Sequence, residues 1–146
     1  MTLRLTLEPY ESCGPLKRGL PAHIVEQALG HQVEKFRKTP LASHPTLDVG
    51  PGLLHVGFDG AGGCNGVELF PETGASLKLS GEELLLDDGK ALVAALVRLG
   101  LHWEVDSYGI HVPMLGIATF HHDFDWSGGK TGIETLFVSL DPDFVP

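Results

Sequence analysis

Two stretches of this chain have helical spacing. Each is closed by a glycine and followed by short apolar segments with strand character, and that order, met twice in 146 residues, limits the folds open to it. In LKRGLPAHIVEQALG, Pro21 suits a first helical turn, and Ile24, Val25, Ala28 and Leu29 form one apolar face. Gly30 suits the C-terminal cap. In DDGKALVAALVRLG, Asp87 or Asp88 can accept hydrogen bonds from the first turn. Leu92, Leu96 and Leu99 share a face, and Gly100 ends the helix.

The remaining pattern is that of strands. TLRLTLEP alternates Leu3, Leu5 and Leu7 with polar residues, the period of a half-buried strand. Residues 31–52, with Pro40, Pro45 and Pro51, read as loop with room for one short strand. LLHVGFD, NGVELFP and ASLKLS precede the second helix, and HWEVD, GIHVP, LGIATFHH and IETLFVSL follow it. The two halves run in parallel. Phe58 and Phe120 each enter a glycine-rich loop, Gly66-Val67-Glu68 and Gly132-Ile133-Glu134 each leave one, and the return strands reach Phe70 and Phe137. Chance likeness between strands of similar chemistry is the competing explanation. The expectation is a single domain over 1–146 with an α+β fold. Its curved antiparallel sheet would have roughly seven to nine strands, built from two helix-plus-meander units at about 15–80 and 85–146, with both helices on one face.

Charge narrows the partners. The formal net charge is -9, which repels nucleic acid and anionic lipid. Most basic residues (Arg4, Lys17, Arg18, Lys35, Arg37, Lys38) precede position 40, so the later part of the chain carries a negative potential that suits a basic partner or simply solvates the surface. MTLRLTLEPY lacks the apolar run of a signal peptide, and no stretch approaches a transmembrane helix in length. A soluble, cytoplasmic protein is expected, with Cys13 and Cys64 reduced.

FHHDFDW, at 120–126, is the densest cluster of reactive side chains. On a continuing strand His121, Asp123 and Asp125 would share one face, and His121-x-Asp123 is the local half of a two-histidine, one-carboxylate metal site. The site would need His102 or His111 from upstream, since no histidine follows His122, and neither HExxH nor paired CxxC is present. No metal and no cofactor are therefore expected, and the stretch reads as a hairpin tip. GFDGAGGCNG has the glycines of a phosphate loop without its lysine or its helix; in it Cys64 is a candidate exposed nucleophile with His55 as base. No serine lies in a GxSxG elbow. Glu82, Glu83, Asp87 and Asp88 flank the second helix, as contacts for a basic partner or as favourable charges at its N-terminal end. Trp103 and Trp126 are anchors or core residues, Trp103 the better core candidate because it alternates with Val105.

GPLKRGLPAHIVEQALG resembles the segment L-x-x-G-M-[ST]-x-x-[EQ]-V-x-x-x-L-G of small bacterial families that include the beta-lactamase inhibitory proteins and small lipoproteins of outer-membrane assembly. Leu16, Gly19, Val25, Leu29 and Gly30 match, whereas Leu20 replaces methionine and Ala22-His23 replaces the usual helix-start pair. PMLGIATF and GIETLFVSL resemble the C-terminal hairpin of uncharacterised bacterial proteins that often resemble immunity or accessory proteins. The resemblance implies a helix entering a meander, repeated in the inhibitory proteins, and a binding protein with no catalytic residue. The leading expectation is an immunity-type inhibitor that neutralises a toxin enzyme with a basic domain, contacting it through Asp123, Phe124, Asp125, Trp126, Glu82 and Glu83. The alternatives are a ligand-binding or accessory protein with a pocket under the helices, and a metal-dependent enzyme using His121 and Asp123.

Overall fold

Alternation places the first strand of the computed structural model, which describes residues 3–30, 32–50 and 52–146. Arg4–Glu8 (β1) buries Leu5 and Leu7 and exposes the residues between them. Ser12–Cys13 (β2) and Leu16–Lys17 (β3) fold back beside it. The first helix, Ala22–Leu29 (α1), starts later than its apolar spacing suggests, because Leu16 and Lys17 are strand and Pro21 is still extended. It buries Val25 and Leu29 and leaves Ala28 exposed; Gly30 closes it at φ 63°.

Residues 32–50 hold two strands where mostly loop was expected: Val33–Phe36 (β4) and Thr46–Val49 (β5). β4 is an edge strand. Its backbone pairs on one side only, so VEKF needs little apolar alternation and the sequence signal is weak. His31 and Pro51 lie outside the described residues. Leu54–Phe58 (β6) and Cys64–Leu69 (β7) complete the run. A 3-10 turn at Pro71–Thr73 then leads the chain out of this sheet, since Pro71 has no N–H to continue the ladder. Ser76–Leu79 (β8) and Glu82–Glu83 (β9) follow.

The second helix, Gly89–Leu99 (α2), lies where the sequence places it. Asp88 caps it by accepting from Lys90 N, and Gly100 closes it at φ 71°. Four strands follow: Glu104–Val105 (β10), Ile110–Val112 (β11), Ile117–His121 (β12) and Ile133–Ser139 (β13).

The architecture is α+β and mostly sheet, with two helices and two sheets. One sheet has eight antiparallel strands in the order β10-β11-β12-β13-β7-β6-β5-β4. The other has five, β3-β2-β1-β8-β9, with a parallel β1–β8 pair that sets Leu5 opposite Leu77. The expectation of one continuous antiparallel sheet therefore missed the second sheet, whose strands come from the segments preceding the two helices. In the large sheet Leu69 pairs with Leu136 and Val67 with Val138, placing Glu68 opposite Phe137. The inward side chains of both sheets and the buried residues of both helices join one apolar cluster. Trp103 packs partly against it, while Val105 is 42% exposed because β10 is the other edge.

Leu92 and Leu96 are fully buried, whereas Leu99 is only half-buried. Leu96→Ala should cost ~2–5 kcal/mol, the range for deleting a large buried aliphatic side chain. Urea melts check this, and a loss typical of surface changes would show that α2 is not packed as described.

Candidate functional site

The FHHDFDW stretch does not continue as a strand. β12 ends at His121, where the register shifts opposite Ile133, and Asp123 has φ 50°. The alternation expected for His121, Asp123 and Asp125 is therefore broken, and each side chain goes its own way. His121 turns inward. Its Nδ1 lies 3.2 Å from Thr131 O, which can only accept, so Nδ1 carries the proton. Nε2, 2.6 Å from Thr119 Oγ1, then accepts from that hydroxyl, which itself receives Ile110 N–H at 3.0 Å. The ring is admitted by Gly109, where a Cβ would come within 2.7 Å of His121 Cδ2 and 2.2 Å of Thr119 O. Burial pushes the His121 imidazole below its ordinary value, against the opposing pull of the Thr131 and Gly132 backbone and of Asp88 and Glu134.

The rest of the tip is organised around this ring. Phe124 packs on His121 at 4.4 Å between centroids, and Trp126 lies 6.3 Å from Phe124, both half-buried. Asp125 accepts from Gly128 N (2.9 Å) and Ser127 Oγ (3.0 Å), and these bonds, Gly128 first, hold its carboxyl below the usual range. Asp123 is exposed, with His122 Nε2 3.6 Å from its carboxylate. Phe124 and Trp126 are thus half-buried against the protein, while Asp123 and Asp125 stay exposed beside them.

Glu82 and Glu83 are not at an exposed tip either. Both are half-buried on β9. Glu82 receives Arg98 Nε and Nη2 at 2.9 and 3.0 Å. Glu83 accepts from Ser76 Oγ (2.5 Å), Leu77 N (2.8 Å) and Leu85 N (3.1 Å), which ties β8 to the entry of α2. Asp88, besides capping α2, accepts from the Thr131 hydroxyl.

Cys64 is not an exposed nucleophile. It is fully buried at the start of β7, and burial pushes its thiol up to about 11; Cys13, equally buried, is pushed up to about 12. Both are free thiols. His55 sits on the opposite side of the sheet. Among the described residues, no three His, Cys, Asp or Glu side chains gather as metal ligands. His111 is held by Asp106 at 2.6 Å, and His102 is exposed beside Glu104.

The feature that local sequence reading missed is the outward face of the eight-stranded sheet. It is assembled from residues far apart in the chain, among them His55, Glu68, Phe120 and Phe137, each the polar or aromatic alternate of a buried neighbour. Phe36, His55 and Phe70 stack edge-on across β4, β6 and the end of β7, with centroids 5.1 and 5.0 Å apart. On the other side of β7, Phe137 meets Phe144 at 6.2 Å. Phe137 lies over Gly66, where a Cβ would stand 2.9 Å from its ring, so a side chain there would lift it off the sheet. Phe120, 47% exposed, joins Phe137 and Phe144 in lining an open groove of about 480 Å³ that also touches Lys38, Glu68 and His111. His55 lies 3.5 Å from Asp48 and 3.8 Å from Glu68, and among the described residues its buried Nδ1 has no hydrogen-bond partner. Lys38 Nζ bonds Glu68 Oε1 from the loop after β4. The signal that marks this face in the sequence is the aromatic residue at alternate positions of Phe36, Phe70, Phe120 and Phe137; only the register makes it one surface.

The His121 geometry fixes the sign of a pH dependence. The unfolded chain takes up the proton at the ordinary value of 6.5, before the folded chain does, so this contribution is complete above that pH and is lost as pH falls through the folded value. Urea melts of wild type and His121→Gln at a pH above 7 and near 5.5 should show a smaller acid loss in the variant. Identical losses would show that His121 is not held neutral by this site.

No protein-family model matches the chain, and comparisons with curated proteins and with solved structures return no match.

Proposed function

We propose that this chain is a protein-binding inhibitor, most concretely an immunity-type protein that neutralises a toxin enzyme, and that it binds through the outward face of its eight-stranded sheet. The observation that carries the reading is that face. It presents large aromatic side chains to solvent, with Phe36 at 36% and Phe120 at 47% exposure, where a monomer ordinarily presents scattered apolar atoms. Aromatic residues in a shallow groove are the groups that supply most of a protein interface's binding energy. The net charge of -9 suits a basic partner and speeds its approach.

The breadth of the face fits a helix-plus-meander unit used twice, both helices covering the inner side. Several features support this reading. α1 leads into β4 to β7, and α2 into β10 to β13. The register shift at Gly57/Phe58 falls opposite Cys64, and that at Phe120/His121 falls opposite Ile133, at the same step of each meander. Cys64 N–H donates to Leu20 O and Ile133 N–H to Asp87 O, both at 2.8 Å, just before each helix. Pro21 bridges Gly63 as Asp88 bridges Gly132. Exchanging the halves exchanges the pairs Leu69–Leu136 and Val67–Val138, so Glu68 and Phe137 stand at the centre. The equivalence sets Gly63-Cys64, not Gly66-Val67, against Gly132-Ile133. A duplicated unit of this kind yields one surface that neither half makes alone.

In this reading the tip residues Asp123, Phe124, Asp125 and Trp126 form a secondary contact, and Glu82 and Glu83 act through Arg98 and the β8–α2 connection rather than on the partner. A second reading, an apolar small ligand, is favoured by the groove of about 480 Å³, the size of a small-molecule site. A partner captured from the cells that make the protein, identified by native mass spectrometry, should be an enzyme with a basic surface. Phe120→Ser should weaken it about tenfold or more, the loss of one interface anchor, with the fold intact. Capture of a small molecule alone would favour the second reading, and a protein partner held equally by both forms would place the interface elsewhere.

A further inference from the structure

Resting on that reading, we propose that Glu68 is the anchor for one arginine or lysine side chain of the basic partner, and that Lys38 occupies this carboxylate in the free protein. Glu68 stands at mid-sheet on β7, directly opposite Phe137. Its side chain is 24% exposed, so it is partly dehydrated yet reachable. An ammonium already sits on it: Lys38 reaches across from the loop after β4 to bond Oε1. That ammonium is held loosely. Lys38 is itself 51% exposed, and an exposed lysine pair gains little because two long side chains must be ordered to make it. The same loop carries Leu41, 93% exposed, so an apolar residue accompanies the displaceable charge.

The surroundings favour a cation from outside. Phe137 and Phe120 line the groove beside the carboxylate, and a guanidinium gains from both a bidentate pair and a neighbouring ring, which an ammonium on a flexible stem matches poorly. Asp48, on the far side of His55, adds negative charge to the same region. Charge disfavours the other occupants. A second copy of this chain, also at -9, is repelled, as are nucleic acid and anionic lipid. The partner therefore supplies the positive group, and its arrival exchanges one cation for another at Glu68 without leaving the carboxylate uncovered, which avoids the cost of an unpaired charge in a forming interface.

The test uses three synthetic peptides with apolar flanks that differ only in the central residue, Arg, Gln or Glu. Each is titrated into wild type, Lys38→Met and Glu68→Gln, followed by amide NMR, with circular dichroism reporting the fold. The Arg peptide should shift the resonances of β6, β7 and β13. It should bind Lys38→Met about threefold more tightly than wild type, because the displaced pair is worth little, and Glu68→Gln about tenfold more weakly. If Glu68→Gln does not fold, the Lys38→Met result decides. Equal binding of the Arg and Gln peptides, unchanged in both variants, overturns the anchor and leaves the face as a binding surface. If no peptide shifts the face in any form, both the anchor and the open-face reading fall.

Discussion

The pairing of β7 with β13 is the contact on which the rest depends. Each of these strands ends a four-stranded antiparallel run, and their ladder joins the two runs into one sheet of eight. A one-residue slip would turn every side chain to the opposite face, so the register is set by the apolar residues that must face the core. Leu69 against Leu136 and Val67 against Val138 point inward, all fully buried. Their alternates, Glu68 and Phe137, must then point out. The composition of the outer face at its centre is thus a consequence of how the inner face is packed.

That constraint separates two kinds of residue. Inward positions are aliphatic and merge with the helices and the five-stranded sheet into one core. Outward positions carry the functional freedom, and here they hold aromatic rings, histidines and carboxylates. Gly66 belongs to the second kind: with no side chain of its own it lets the Phe137 ring lie down across β7. His121 shows the opposite arrangement. A residue that is chemically promising in the sequence is drawn inside, its two nitrogens committed to Thr131 and Thr119, while Thr131 in turn bonds Asp88 at the start of α2.

Much of the fold was legible in the sequence because local rules decide it. Both helices, the capping Asp88 and the closing Gly30 and Gly100 follow from spacing and cap chemistry. Strands with a buried face, such as β1 and β13, announce themselves by alternation. What escaped depends on distant partners. β4 is recognised as a strand only by its pairing with β5, and the parallel β1–β8 pair joins segments some seventy positions apart, where no local pattern reaches. The site was less legible still. FHHDFDW draws notice because its reactive residues are adjacent, whereas Phe36, Glu68, Phe120 and Phe137 are ordinary in their own neighbourhoods and become a surface only through strand order. Within FHHDFDW, His121 and Asp125 make hydrogen bonds to the protein's own backbone, which adjacency in the sequence does not reveal.

The outward sheet face, rather than the helical side, is proposed to receive the partner. Site-specific photo-crosslinking tests this most directly. A photoreactive amino acid replaces Phe120 on the sheet face in one form and Val97, 60% exposed on α2, in another. The account predicts a protein adduct from position 120 and none from position 97. An adduct from position 97 alone would contradict it.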